Sequence, residues 1–360
     1  MASWHETAIK TIYATPELTA AEAGGGDARV GAPTRISELD GWRAMSILCV
    51  IAGHWLPLGP HAWGLNTATA ATGMALFFSL SGFLIARVLM TREQVPVFLI
   101  RRLFRIMPLA WAATLILVVV NGVSPITALA NFAFFANLPP DHLMPGGHHL
   151  WSLCVEVQFY LAVAVIVAVA GPRGLWLAPL GAIAVTIARI DAAQPMSIVT
   201  WHRVDEILAG ATLALLIYWT DAPRWIARLP RWTPLILAAL LLLSGMETLV
   251  PLAYARPYLA AMTIGVSIFA APGWLRALLC STPARYIASI SFAVYVIHGM
   301  LGDTWLGTGD TLEKYAKRPI LAAVTWLLAH LSTFRFENPM IDLGKRVSHR
   351  FQRSEGSTRP

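Results

Sequence analysis

Apolar stretches of about twenty residues recur along this chain from residue 40 to its C-terminal region. A helix of that length and composition is long enough to cross the hydrocarbon core of a bilayer. The stretches fall near 40–58, 72–90, 104–121, 150–170, 174–190, 204–220, 234–250, 257–272, 285–302 and 319–336. The composition agrees: 56% of the residues are hydrophobic and 13% charged, where soluble proteins carry about 25% charged residues. The expected fold is therefore an all-α polytopic membrane protein of about ten transmembrane helices. A further apolar piece, 125–138, opens on a proline and contains Asn131 and Asn137. It is too short to span comfortably and reads as re-entrant or interfacial.

Charge sets the orientation. With ten spans and an inside N-terminus, cytoplasmic segments hold 20 of the 27 Lys and Arg. Outside segments hold six, namely Arg189, Arg203, Arg256, Lys314, Lys317 and Arg318, and Arg43 lies within the first span. This bias obeys the positive-inside rule and puts both termini in the cytoplasm. The net charge of +7 is thus a topology signal, and no basic, aromatic-interleaved soluble domain suggests nucleic acid. Residues 1–34 are small and polar with no apolar run, and read as a disordered cytoplasmic tail. The membrane domain covers 35–340. Residues 341–360 form a basic cytoplasmic tail suited to anionic headgroups. Three cysteines, Cys49, Cys154 and Cys280, do not make a disulfide framework.

The first span, LDGWRAMSILCVIAGHWLP, carries two groups foreign to hydrocarbon, Arg43 and His54. Eleven residues are three turns plus about 20°, so both side chains share one helix face about 16 Å apart along the axis. Ionisable groups inside a membrane are costly and mark candidate sites. Counting rise per residue puts Arg43 near the inner mouth and His54 about two-thirds across. Glu156 of span 4, His298 of span 9, and Ser79 and Ser81 of span 2 fall at comparable depth. A neutral histidine there can take a proton from a hydroxyl while a carboxylate orients it.

Arg101, Arg102 and Arg105 begin span 3 on the cytoplasmic side; Arg102 and Arg105, three apart, share a face suited to phosphate. Residues 148–160, HHLWSLCVEVQFY, crowd His148, His149, Trp151, Ser152, Glu156, Gln158 and Tyr160 into three turns. That is more polarity than interfacial anchoring needs. A metal held by His148, His149 and Glu156 lacks a second ligand cluster, so none is expected. Arg203 and Asp205 open span 6, where they pair with each other or face an acceptor. Gly210, flanked by Ala209 and Ala211, suggests close helix packing.

These motifs, in this order, resemble the acyltransferase 3 family of bacterial membrane acyltransferases. RISELDGWRAMSILCVIAGH resembles its opening motif with the Arg, ten residues, His spacing, and GMALFFSLSGFLI its second-helix motif. RRLFRIMP, HHLWSLCVEVQFY, RVDEILAGA, SISFAVYVIH and FENP follow in register with the family. Two departures stand out: Val157 occupies the place of a frequent second carboxylate, and Ala75 that of a frequent acidic residue. The resemblance implies transfer of an acyl group, usually acetyl, from cytoplasmic acyl-CoA to a hydroxyl of a carbohydrate or lipid-linked acceptor at the bacterial inner membrane. Acylation of a small natural product such as a macrolide sugar is also open, as is a transporter or flippase of a polysaccharide precursor. On the transferase reading Arg101, Arg102 and Arg105 hold CoA phosphates and Arg43 positions the donor. His54 is the base or transient acyl acceptor, and Glu156 orients His54 or the hydroxyl. Ser81, His149, Ser152, Tyr160, Arg203, Asp205 and His298 line the acceptor side.

Overall fold

A computed structural model describes residues 36–91 and 94–356, with side chains through Arg350. The expected N-terminal tail, 1–34, lies outside the described residues. All regular structure among the described residues is helical. Each of the ten apolar stretches is a helix: α1 Ser37–Trp55, α2 Leu65–Met90, α3 Val95–Asn121, α5 Trp151–Ala170, α6 Leu177–Asp191, α7 Asp205–Trp219, α9 Thr233–Leu243, α10 Val250–Ala270, α12 Thr282–Gly302 and α13 Thr311–Ser332. Short helices α4 Pro125–Phe132, α8 Ala222–Ile226 and α11 Gly273–Leu279 join them, and α14 Asn338–Gly356 follows.

Seven helical segments are long and apolar enough to cross a membrane: Leu65–Met90, Val95–Asn121, His148–Ala170, Pro172–Asp191, Val250–Ala270, Thr282–Gly302 and Thr311–Arg350. The protein is thus a multi-pass membrane protein. α1 falls outside that set because Glu38, Asp40 and Arg43 interrupt its apolar run, and α7 and α9 because they have only 15 and 11 residues. The faces of α1 and α7 explain the paradox of two short, polar-tipped helices at the centre. α1 and α7 flank α2 in the two most extensive helix interfaces of the fold. Glu38, Asp205 and Glu206 are buried against protein, so the apolar length of these helices need not match a bilayer.

Small residues make those interfaces possible. A Cβ on Gly82 would overlap the Ile207 carbonyl, and one on Gly210 the Ser79 carbonyl. The α2 and α7 backbones therefore touch, and Ser79 Oγ donates to the Glu206 carbonyl at 3.2 Å. Between α1 and α2, Ser46 Oγ donates to the Gly73 carbonyl at 2.8 Å. Asn66 Nδ2 caps the end of α1, donating to the Gly53 and Leu56 carbonyls at 2.7 Å each. Outward faces are apolar too: Val120, Val165, Val169 and Leu180 are exposed, as lipid-facing residues must be.

Residues 125–138 hold only the two-turn helix α4, as their length and asparagines imply. The basic stretch beyond 340 has regular structure. It is helical and packs along α3, with Gly344 against the Phe104 side chain and Arg101 Nε donating to Ser348 Oγ at 3.2 Å. A π-helical turn, Thr333–Glu337, connects it to α13, and Glu337 there accepts from Ser332 and Thr333 at 3.1 Å each.

Candidate functional site

The face shared by Arg43 and His54 points at α12. Arg43, Ser46, Ile47 and Val50 line one small void together with Met74, Phe77, Ser291 and Tyr295. On α12, Ser291, Tyr295 and His298 repeat at four and three residues, the spacing of a single helix face. The two stripes form a seam that runs from Arg43 to His54. Its void measures about 10 Å³, scarcely room for one water. Phe77 and Tyr295, stacked 6.0 Å apart, close it midway.

At the far end three imidazoles meet. His54 Nδ1 lies 3.0 Å from His298 Nε2, and the rings stack at 5.2 Å and 14°. His149 stands edge-on to His298 at 4.9 Å. Gly299 makes room for it, since any side chain there would enter the His149 ring. Their protons follow from backbone carbonyls, which only accept. His298 Nδ1 donates to the Tyr295 carbonyl at 2.6 Å, so its neutral ring offers Nε2 as acceptor. His54 must then donate from Nδ1, leaving its Nε2 lone pair available. His149 Nε2 donates to the Val296 carbonyl at 3.0 Å. Tyr295 Oη donates to the His149 carbonyl and accepts from Ser152 Oγ at 2.6 Å. These histidines border a cavity of about 300 Å³, whose wall includes Trp55, His148, Gly299, Asp303, Lys314 and Arg318. That volume is at the small end of ligand pockets, about 300–1,000 Å³. His54 is exposed to it, whereas His298 is buried.

Glu156 is not where depth alone put it. The expected His54–Glu156 pair is replaced by His54–His298, because Glu156 points to the other end of the seam. Its Oε1 accepts from Ser81 Oγ and from Tyr160 Oη, the latter at 2.5 Å one turn along α5. Arg43 has Arg105, Asp40, Arg102 and Glu156 as electrostatic neighbours; Arg105 has Arg102, Tyr160, Glu156 and Glu337. Arg102 lies over the Phe98 and Tyr160 rings at 5.8 Å. Arg43, Arg102 and Arg105 are thus mutual neighbours, and Glu156 acts on Arg43 and Arg105, with Asp40 the stronger acidic neighbour of Arg43. Arg101 Nε donates to Ser348 Oγ on α14. Gln158, two residues from Glu156, faces the opposite way and ties Phe134 and Asn137 to Thr200. The crowded polar helix therefore serves two purposes, a site on one face and loop anchoring on the other.

Arg203 and Asp205 lie apart from the cavity, in a buried ion network the sequence reading did not anticipate. Asp205 pairs with Arg189 at 2.5 Å, and Glu206 with Arg256 at 3.1 Å and Arg203 at 3.3 Å. Arg189 and Arg256 also share the Pro195 carbonyl, at 2.6 and 2.9 Å. Arg203 lies over Phe78 and Trp151. Arg189, Arg203 and Arg256 are therefore interior residues, not the loop charges counted from sequence. Two acids adjacent in an apolar context, with arginines in two other spans at matching depth, were the available signal. Among the described residues no group of three His, Cys, Asp or Glu has metal-binding geometry.

A family profile described as acyltransferase domain matches residues 36–334. Among characterised proteins, the peptidoglycan O-acetyltransferase OatA of Listeria monocytogenes is 25% identical over 360 aligned residues, taking in 85% of this chain and 56% of that protein. Nodulation protein 10 of Rhizobium leguminosarum bv. viciae is 23% identical over 236 residues, 51% of this chain and 64% of that protein. The chain thus spans less than two thirds of either relative. No solved structure matches it.

Proposed function

The chain belongs to the acyltransferase 3 family, and on that premise we propose that it moves an acyl group, acetyl above all, from acyl-CoA to a carbohydrate hydroxyl. The observation that carries this reading is the α1–α12 seam. It joins a cluster of three arginines at one end to an imidazole with a free Nε2 beside a ligand-sized cavity at the other. The Listeria relative is named for O-acetylation of peptidoglycan, which supports a carbohydrate acceptor.

In this reading the Arg43, Arg102 and Arg105 end faces the cytoplasm, with the N-terminus inside and ten helices embedded in the bacterial inner membrane. Arginine forks suit the phosphates of CoA. Glu156, held by Ser81 and Tyr160, keeps the three cations from repelling one another apart and orients them. The acyl-bearing arm enters the seam, which requires Phe77 and Tyr295 to part. His54 Nε2 accepts the proton of the acceptor hydroxyl as its oxygen attacks the thioester carbonyl. The new C–O bond forms, the C–S bond breaks, and the departing thiolate takes the proton from His54. His298 holds His54 in the reactive tautomer and shares the positive charge that develops on it. His149 and Ser152, linked through Tyr295, shape the acceptor side. The protein acts on a hydroxyl of a surface or exported glycoconjugate.

Purified protein in liposomes, given labelled acetyl-CoA and a glycan extract, tests this directly. Transfer of label that is lost in His54→Ala supports the reading. Equal transfer by His54→Ala, or solute movement without any acyl transfer, overturns it.

A further inference from the structure

The cavity beside His54 has a charge pattern of its own. Lys314 and Arg318 line it from one face of α13, four residues apart. The carboxylate in the same wall, Asp303, is engaged elsewhere: its Oδ2 accepts from the Gly146 backbone N–H at 2.7 Å. Among the described residues no carboxylate forms an ion pair with Lys314 or Arg318. Arg318 Nε is buried without a hydrogen-bond partner, and its guanidinium lies over the Tyr315 ring at 5.9 Å. Lys317, between them in sequence, shows what a satisfied cation on this helix looks like. It bonds Glu313 at 2.8 Å and the Trp305 carbonyl.

A guanidinium part-way out of water with an unused N–H is costly unless an anion meets it. Arginine and lysine side by side offer a fork and a point charge, a combination suited to carboxylate or phosphate oxygens. Neither group is needed for the acyl donor, whose arginine cluster lies at the opposite end of the seam.

We propose that Lys314 and Arg318 form a subsite for an anionic group on the acceptor. The substrate class is then an acidic sugar or a glycosyl phosphate, its hydroxyl presented to His54 by anchoring the negative charge on α13. This deepens the acyl-transfer reading and rests on it for the role of His54. The shared chemistry, an oxyanion, could also be supplied by a phospholipid headgroup at the same level.

Binding without an acyl donor separates the two claims. Purified protein in zwitterionic nanodiscs is titrated with methyl β-glucuronide, glucose 1-phosphate and methyl β-glucoside, read by tryptophan fluorescence, since Trp55 lines the cavity. At least one anionic sugar should bind about tenfold tighter than the neutral glycoside. Lys314→Gln and Arg318→Gln should each remove most of that preference, and Lys317→Gln should keep it. His54→Ala should lose acyl transfer yet retain the anion preference; that preference surviving alongside transfer-dead wild type would overturn the enzyme reading and not the subsite. Equal binding of the charged and neutral sugars, or a preference unchanged in both variants, overturns the subsite. So does loss of the preference when phosphatidylglycerol replaces the zwitterionic lipid, for the site then serves headgroups.

Discussion

His54 and His298, 244 positions apart in the chain, stack 5.2 Å apart with one ring nitrogen of each at 3.0 Å. Because His298 Nδ1 is committed to the Tyr295 carbonyl, the contact determines which nitrogen of His54 keeps its lone pair. His298→Leu, which removes the acceptor, should lower kcat by about 10²-fold, the scale of a lost acid–base arrangement. His298→Gln, which can still present an oxygen to His54 Nδ1, should retain more activity than the leucine variant. KM for acyl-CoA should change little in either. Equal kcat for the two variants in a steady-state transfer assay would show that the tautomer contact is irrelevant.

The arginine end predicts the opposite kinetic signature. Arg102→Ala and Arg105→Ala should raise KM for acyl-CoA by about tenfold, one lost charge-assisted contact each, with kcat nearly constant. Arg101→Ala should have a smaller effect, since its Nε is turned to Ser348 on α14. Varying donor concentration at saturating acceptor makes the comparison.

Glu156 tests whether the two ends communicate. Glu156→Gln removes a carboxylate that acts on Arg43 and Arg105. The expected result is a KM defect for acyl-CoA resembling that of the arginine variants, because Glu156 accepts from Ser81 and Tyr160 and not from His54. A pure kcat loss with donor KM intact would instead return Glu156 to the histidine end.

The Arg189–Asp205 pair, both side chains fully buried, should be unforgiving of single changes. Arg189→Met strands a buried carboxylate and should cost about 3–5 kcal/mol. Adding Asp205→Leu should recover part of that loss. Thermal unfolding of the four proteins of this double-mutant cycle, in one detergent, measures the coupling.

Gly210 predicts a packing effect free of charge. Gly210→Ala drives a methyl group into the Ser79 carbonyl and must separate α2 from α7. A loss of about 1–3 kcal/mol is expected from such overpacking. Gly273→Ala, where a Cβ meets nothing within 4 Å, is the control and should leave the unfolding temperature unchanged.

The sequence by itself determined the helices and the family. Apolar length forces a helix in a bilayer whatever the partners, so the seven long apolar segments could be read locally, while the three shorter or charge-bearing helices rest on packing. The common face of Arg43 and His54 was likewise legible, because helix geometry ties spacing to direction. Gly210 between two alanines announced a close helix contact, and the structure supplied α2 as the partner. What faces that stripe was not local information. Depth alone put Glu156 and Ser81 level with His54 and His298, yet the packed bundle pairs Glu156 with Ser81 at the arginine end and His298 with His54 at the other. Tertiary packing turned His298 toward His54 and brought Ser81 to Glu156. It also drew Arg189, Arg203 and Arg256 inward, since Asp205 and Glu206 needed counter-ions that only neighbouring helices could supply. The stretch after 340 became a helix on α3 because Gly344 fits against Phe104, a complementarity that composition could not reveal.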